Sequence, residues 1–210
     1  MSSPAAAQDV SRVFAGGLFG VSTLSADGRS VTSDSDAALS LYKPENGPAL
    51  NVFAGVHIAQ YFSIQGNWMW NRNDITLVSS FVTSQGGGFY EQRRHSRQHV
   101  AVLDGLLYFR RLDSAIRPYL GTGLAVVHFS SDDVVRSLTR GLAPPSQEIA
   151  STRIGLRSHV GIDVRLSRRH SFRYSFSETI TSNPISPSLT PPAPRALANF
   201  ENLFGFVSRF

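Results

Sequence analysis

Apolar and polar residues alternate one by one along much of this chain, the signature of β-strands with one apolar face. In ALNVFAGVHI, Leu50, Val52, Ala54, Val56 and Ile58 share one face, and Asn51, Phe53, Gly55 and His57 share the other. The next segment, FSIQGNWMWN, sets Phe62, Ile64, Gly66, Trp68 and Trp70 against Ser63, Gln65, Asn67, Met69 and Asn71. Only residues 59–61 separate the two, the length of a tight hairpin connection. RIGLRSHVGID repeats the pattern, with Ile154, Leu156, Val160 and Ile162 opposite Arg153, Gly155, Arg157, His159 and Asp163. A strand with that polar face cannot line a dry sandwich core. After LSRRH, the segment SFRYSFSETI places Phe172, Tyr174 and Phe176 opposite Ser171, Arg173, Ser175 and Ser177.

Other segments are less regular. VAVLDGLLYF (100–109) is apolar on both faces apart from Asp104, and RPYLGTGLAVVHF (117–129) is similar, so the sequence leaves their facing open. VFAGGLFGV (13–21) is short and Gly-rich, as closely approaching barrel strands can be. The last segment, NFENLFGFVSRF, has Phe200, Phe204, Phe206 and Phe210 in phase. Helical periodicity is not sustained anywhere, so the reading is all-β with eight strands. Long polar connections are expected near 25–48, 72–96, 130–150 and 181–197, and short ones at 59–61, 110–116 and 167–170. In an up-and-down barrel alternate connections share an end, which puts the long loops on one rim and the short turns on the other.

Composition narrows the solvent. Apolar residues make up 41% and charged residues 17%, cysteine is absent, and no stretch approaches the ~18 apolar residues of a spanning helix. In hydrocarbon every backbone group must be paired, so a sheet can cross a bilayer only by closing on itself. The expected architecture is therefore an eight-stranded antiparallel up-and-down transmembrane β-barrel. Asn51, Gln65, Asn67, Arg153, Arg157, Asp163 and Arg173 would fill its lumen, which at eight strands is just wide enough for side chains. Within it Arg153, Arg157, His159, Asp163 and Arg173 form the candidate polar network. Trp68, Trp70, Phe172 and Tyr174 form the candidate aromatic girdle, with Phe62 and Tyr108 or Phe109 as further outward rings.

With the four in-phase phenylalanines, RPYLGTGLAV after a short turn and eight strands in view, the chain resembles the small outer-membrane barrels of the outer-membrane protein A-like and opacity-protein-like kind. The resemblance implies a bacterial outer-membrane location in a Gram-negative cell envelope. It also implies a C-terminal strand read by the barrel-assembly machinery through Phe210, Phe206 and Phe204. Ser208 departs from the aromatic or aliphatic residue often found at its place. The barrel would span 10–210, with 1–9 as a residual leader or flexible N-terminus: Ala5, Ala6 and Ala7 look like the end of a signal peptide whose apolar segment is missing.

No catalytic, metal or cofactor-binding residue is expected. His95 and His99 are four apart but fall in an expected solvated loop, and no HExxH is present. His170 and Ser171 faintly resemble a lipid A deacylase pattern, yet adjacent strand residues point to opposite faces. QGGGF at 85–89 lacks the following helix of a phosphate loop. The net charge of +5 comes mainly from arginines scattered along the chain, unlike a nucleic-acid interface. The functional expectation is a structural anchor that displays surface loops. Its contacts would be outer-membrane lipid, lipopolysaccharide, the assembly machinery and an extracellular partner. A narrow passive pore, an enzyme modifying lipid A acyl chains and a soluble lipocalin-like carrier are the alternatives.

Overall fold

The structure, a computed structural model, describes residues 12–26, 30–31, 38–83, 86–138, 149–184 and 196–210; among these there are strands and connecting turns and no helix. The strands are β1 (Val13–Ala26), β2 (Ser30–Val31), β3 (Ala38–Pro44), β4 (Asn46–His57), β5 (Phe62–Thr83), β6 (Gly86–Tyr108), β7 (Ile116–Leu138), β8 (Ile149–Arg165), β9 (His170–Ser182) and β10 (Ala196–Arg209). Eight of them form one antiparallel sheet in the order β5-β4-β1-β10-β9-β8-β7-β6, and pairing of β5 with β6 closes it into a barrel. The first and last strands meet along a seam running from Phe14 opposite Arg209 to Ala26 opposite Leu197. The turns at 58–61, 109–115 and 166–169 share one end with the start of β1 and the close of β10. There the Arg209 N–H donates to the Arg169 carbonyl at 2.8 Å and the Phe210 N–H to the Val13 carbonyl at 3.0 Å.

Strand extends into three of the expected long connections. The segment 72–96 continues the β5–β6 ladder from Arg72 opposite Arg97 to Thr83 opposite Gly86, and 130–138 continues β7. Once clear of the bilayer neither face of a strand must be apolar, so strict alternation lapses, while the β-branched residues of DITLVSSFVT still favour extended backbone. Within 25–48, β3 pairs with the outer part of β5, from Pro44 opposite Ile75 to Ala38 opposite Phe81. The expected loop residues 139–148 and 185–195, and the N-terminal segment 1–9, lie outside the described residues.

Alternation fixes what each strand shows to either side. The exterior carries Val52, Ile64, Trp68, Leu103, Leu107, Leu120, Leu124, Ile154, Leu156, Phe204 and Phe206, all exposed. On β8 this apolar face runs from Val164 to Ile154, roughly 33 Å of strand, or about 25 Å of height once tilted, the thickness of a barrel's lipid-facing band. The facing of the two ambiguous strands is now fixed. Val100, Val102, Asp104, Leu106 and Tyr108 point inward on β6, and Arg117, Tyr119, Ala125, Val127 and Phe129 point inward on β7. Tyr108 is thus a lumen residue, and Phe109 is the outward ring.

Candidate functional site

The lumen is filled by side chains in two chemical layers. Near the short turns, Phe14, Phe53, Tyr108 and Tyr119 belong to an apolar cluster that also takes in Leu18, Leu106, Leu203 and Val207. Arg173 is set among these rings, its guanidinium 4.9 Å from the Phe53 and Tyr119 centroids. It forks onto Asp163, with Nε donating to Oδ1 at 2.6 Å and Nη2 to Oδ2 at 2.8 Å. The fork needs no long reach, since Asp163 and Arg173 are register partners across β8 and β9. Two further Arg173 donors go to the Gln65 side-chain oxygen at 2.8 Å and the Tyr108 hydroxyl at 2.9 Å. Arg117 stacks on the ring of Tyr108, 3.7 Å from its centroid.

Gln65 carries the network upward by donating to the Asn67 oxygen at 2.6 Å, and Asn67 donates to Asp104 Oδ2 at 2.9 Å. Asp104 also accepts from Arg157 Nη1 at 2.6 Å, and His159 Nε2 lies 3.3 Å from the same oxygen. Gly121 and Gly123 make room for this group: a Cβ on Gly121 would collide with the His159 ring, and one on Gly123 with the Leu103 carbonyl and the Asp104 carboxylate. Higher still, the buried Glu201 accepts from Ser177 Oγ at 3.0 Å and Asn199 Nδ2 at 3.1 Å.

Arg157, His159, Asp163 and Arg173 therefore all face the lumen, but as two clusters bridged by Gln65 and Asn67 rather than as one. Arg153 is not among them: it is exposed and bonds Ser151 Oγ at 2.8 Å. Its phase is inward, yet the β8–β9 pairing stops at Gly155 opposite Thr181, so Arg153 stands above the closed wall. Asp104, Arg117 and Glu201 are lumen residues that sequence reasoning missed, and Asp104 is the one that anchors a cluster. Its signal was a single charge in the otherwise apolar segment 100–109, whose facing alternation alone does not decide.

On the exterior, Trp68 and Tyr174 are exposed and Trp70 and Phe172 half-buried, all pointing outward, as do Phe204, Phe206 and Phe210. His95 and His99 lie on β6 rather than in a loop. His170 is exposed and contacts Ser208 Oγ at 3.0 Å, whereas Ser171 is buried on the opposite face. The apolar faces point out and the charged ones in, the reverse of a soluble carrier barrel.

Above the band, Asp74 accepts from Arg93 Nη2 at 2.8 Å and lies 2.5 Å from His95 Nδ1. Partial burial pushes the Asp74 pKa up, but the hydrogen bonds from His95 and Arg93 outweigh it and hold the carboxyl below its ordinary value. A depressed pKa means this contact contributes above the unfolded carboxylate value and is lost as pH falls through the folded one. In a carboxyl NMR titration Asp74 is expected to protonate below the usual aspartate range and to move up in Arg93→Gln. An unshifted Asp74 in the parent would overturn this account.

A family model described as outer membrane protein beta-barrel domain matches residues 1–193. Among solved structures, neisserial surface protein A (NspA) is 14% identical, with 94% of this chain and 97% of that chain covered at a TM-score of 0.53. The outer membrane protein OprG from Pseudomonas aeruginosa is 14% identical, with 96% of each chain covered and a TM-score of 0.49. Ail, the attachment invasion locus protein of Yersinia pestis, solved with the heparin analogue sucrose octasulfate, is 10% identical, with 95% and 99% covered and a TM-score of 0.48. No curated protein sequence matches the chain.

Proposed function

The chain belongs to the outer-membrane β-barrel domain family and resides in the outer membrane; from that premise we propose that it is a filled anchor, without enzymatic activity, that displays its outer strands and loops to the surroundings. The observation that carries this reading is the lumen itself. Arg173 and Arg157 are each about 1% exposed and held in hydrogen-bonded clusters, with rings packed around Arg173, so among the described residues side chains fill the lumen at both levels. On the outer side the β5–β6 ladder runs well past the apolar band and supplies surface rather than passage. The non-enzymatic reading draws support from the engagement of the lumen carboxylates Asp104, Asp163 and Glu201 with neighbouring side chains. Its partners on this reading are outer-leaflet lipopolysaccharide, an extracellular molecule met by the outer segments and the barrel-assembly machinery. The last would read the outward Phe204, Phe206 and Phe210 of the final strand.

Planar-bilayer recording of barrel that shows heat-shifted gel mobility is expected to give no steady unitary conductance. Discrete channels from that same folded material would replace the anchor with a narrow pore. Lipid A incubated with the protein should keep its acyl pattern by mass analysis, and a lost or added chain would establish an enzyme instead.

A further inference from the structure

Around the outer edge of the apolar band the chemistry is one-sided. The outward face of β5 passes from Trp68 and Trp70 to Arg72, that of β6 from Ala101 to His99 and Arg97, and that of β7 from Val126 to His128. Register sets these side by side. Trp70 opposes His99, His99 opposes His128, and Arg72 opposes Arg97. Trp68 and His99 are in ring contact at 5.7 Å between centroids. On the other half of the wall the corresponding outward positions are Ser182, Ala196, Thr23 and Asn46, none of them basic.

Two arginines directly opposite on one sheet face repel each other. Among the described residues neither the Arg72 nor the Arg97 side chain makes a hydrogen bond or ion pair. The nearest outward acids in register lie one step farther from the bilayer. Asp74 is held by Arg93 and His95, and Asp132 stands opposite His95. Such a pair is stable when an anion bridges it, and guanidinium groups bind phosphate with paired N–H donors. The height of the pair fixes what kind of anion arrives: it stands at the headgroup level, above apolar wall and beside two indoles of the sort that settle at that interface.

We propose that Arg72 and Arg97, flanked by Trp68, Trp70, His99 and His128, form a site for the phosphate of a phosphorylated glycolipid of the outer leaflet, whose acyl chains lie along the apolar wall below. This rests on the outer-membrane reading and adds to it a defined lipid contact. The chain's two tryptophans both lie at the site, so intrinsic fluorescence reports from it directly.

The test titrates bisphosphorylated lipid A into heat-shifted barrel in zwitterionic micelles and follows tryptophan emission. A saturable change is expected, weakened about thirtyfold in R72Q/R97Q if each arginine supplies its typical attraction to an anionic lipid surface. Dephosphorylated lipid A and inorganic phosphate alone should give no saturable change. The proposal is overturned by a response to either of those probes equal to that of lipid A, by stronger binding of a sulfated glycan, or by unchanged binding in the double variant. Heat-shifted mobility of R72Q/R97Q shows separately that the barrel is intact, so loss of the site and loss of the fold are distinguishable. Should the double variant not fold, R72K/R97K, which keeps the charge and removes the forked donors, is expected to bind several-fold more weakly, and equal binding would sink the idea.

Discussion

Replacing Arg173 with methionine is expected to destabilise the barrel by about 3–5 kcal/mol, the usual consequence of stranding one member of a buried ion pair. Arg173 holds both oxygens of Asp163, and both residues are almost wholly buried. Without the guanidinium, Asp163 must remain charged among phenyl and phenol rings or take up a proton. Gln65 and the Tyr108 hydroxyl lose a donor at the same time. A second change, Asp163→Leu, should recover most of the loss, since a buried pair exchanged for apolar groups of similar volume is often close to neutral. The urea midpoint of the unboiled gel band in lipid vesicles measures both. A single variant within about 1 kcal/mol of the parent would mean that the network adds little to stability.

Asp104→Leu should be as damaging, for the complementary reason that it leaves a cation unpaired. Arg157 loses its carboxylate and Asn67 its acceptor, and a loss of about 3–5 kcal/mol is expected, largely restored by adding Arg157→Met. The two clusters share the Gln65–Asn67 bridge, so Asp104→Leu and Arg173→Met should not add. A double-mutant cycle is expected to return a coupling of about 0.5–3 kcal/mol. Strict additivity would show two independent pairs that merely occupy one lumen.

The legibility of these features in the sequence followed the solvent on either side of each strand. β4, β5, β8 and β9 were plain within the band because lipid on one face and a polar lumen on the other impose period two. β6 and β7 were ambiguous because their lumen faces are apolar too, with Met69, Val100, Val102, Ala125 and Val127 forming an inner cluster. The outer halves of β5 and β6 read as loop in the sequence because water on both faces removes the pattern while leaving backbone pairing in place. Arg153 shows the limit of phase: alternation tells in from out but not where the wall ends, which depends on the length of the neighbouring β9. The link from Asp104 to Arg157 joins residues 53 apart in sequence, and no local pattern encodes a contact across the lumen. The rim site was present as separate letters, Trp70, Arg72, Arg97, His99 and His128, and became a patch only through the strand register.

The seam between β1 and β10 has a kinetic meaning. The other neighbours in the wall follow one another in the chain, apart from β1 and β4, which flank β2 and β3; β1 and β10 stand at its two ends. A growing barrel can add hairpin to hairpin, yet β1 keeps one bare edge of N–H and C=O groups until the last strand is in place. In hydrocarbon that edge has no water to turn to. Closure of the long loop comes last and carries the greatest ordering cost, so insertion should proceed as a single cooperative commitment. A chain halted before Phe200 would offer β1 to whatever strand came near.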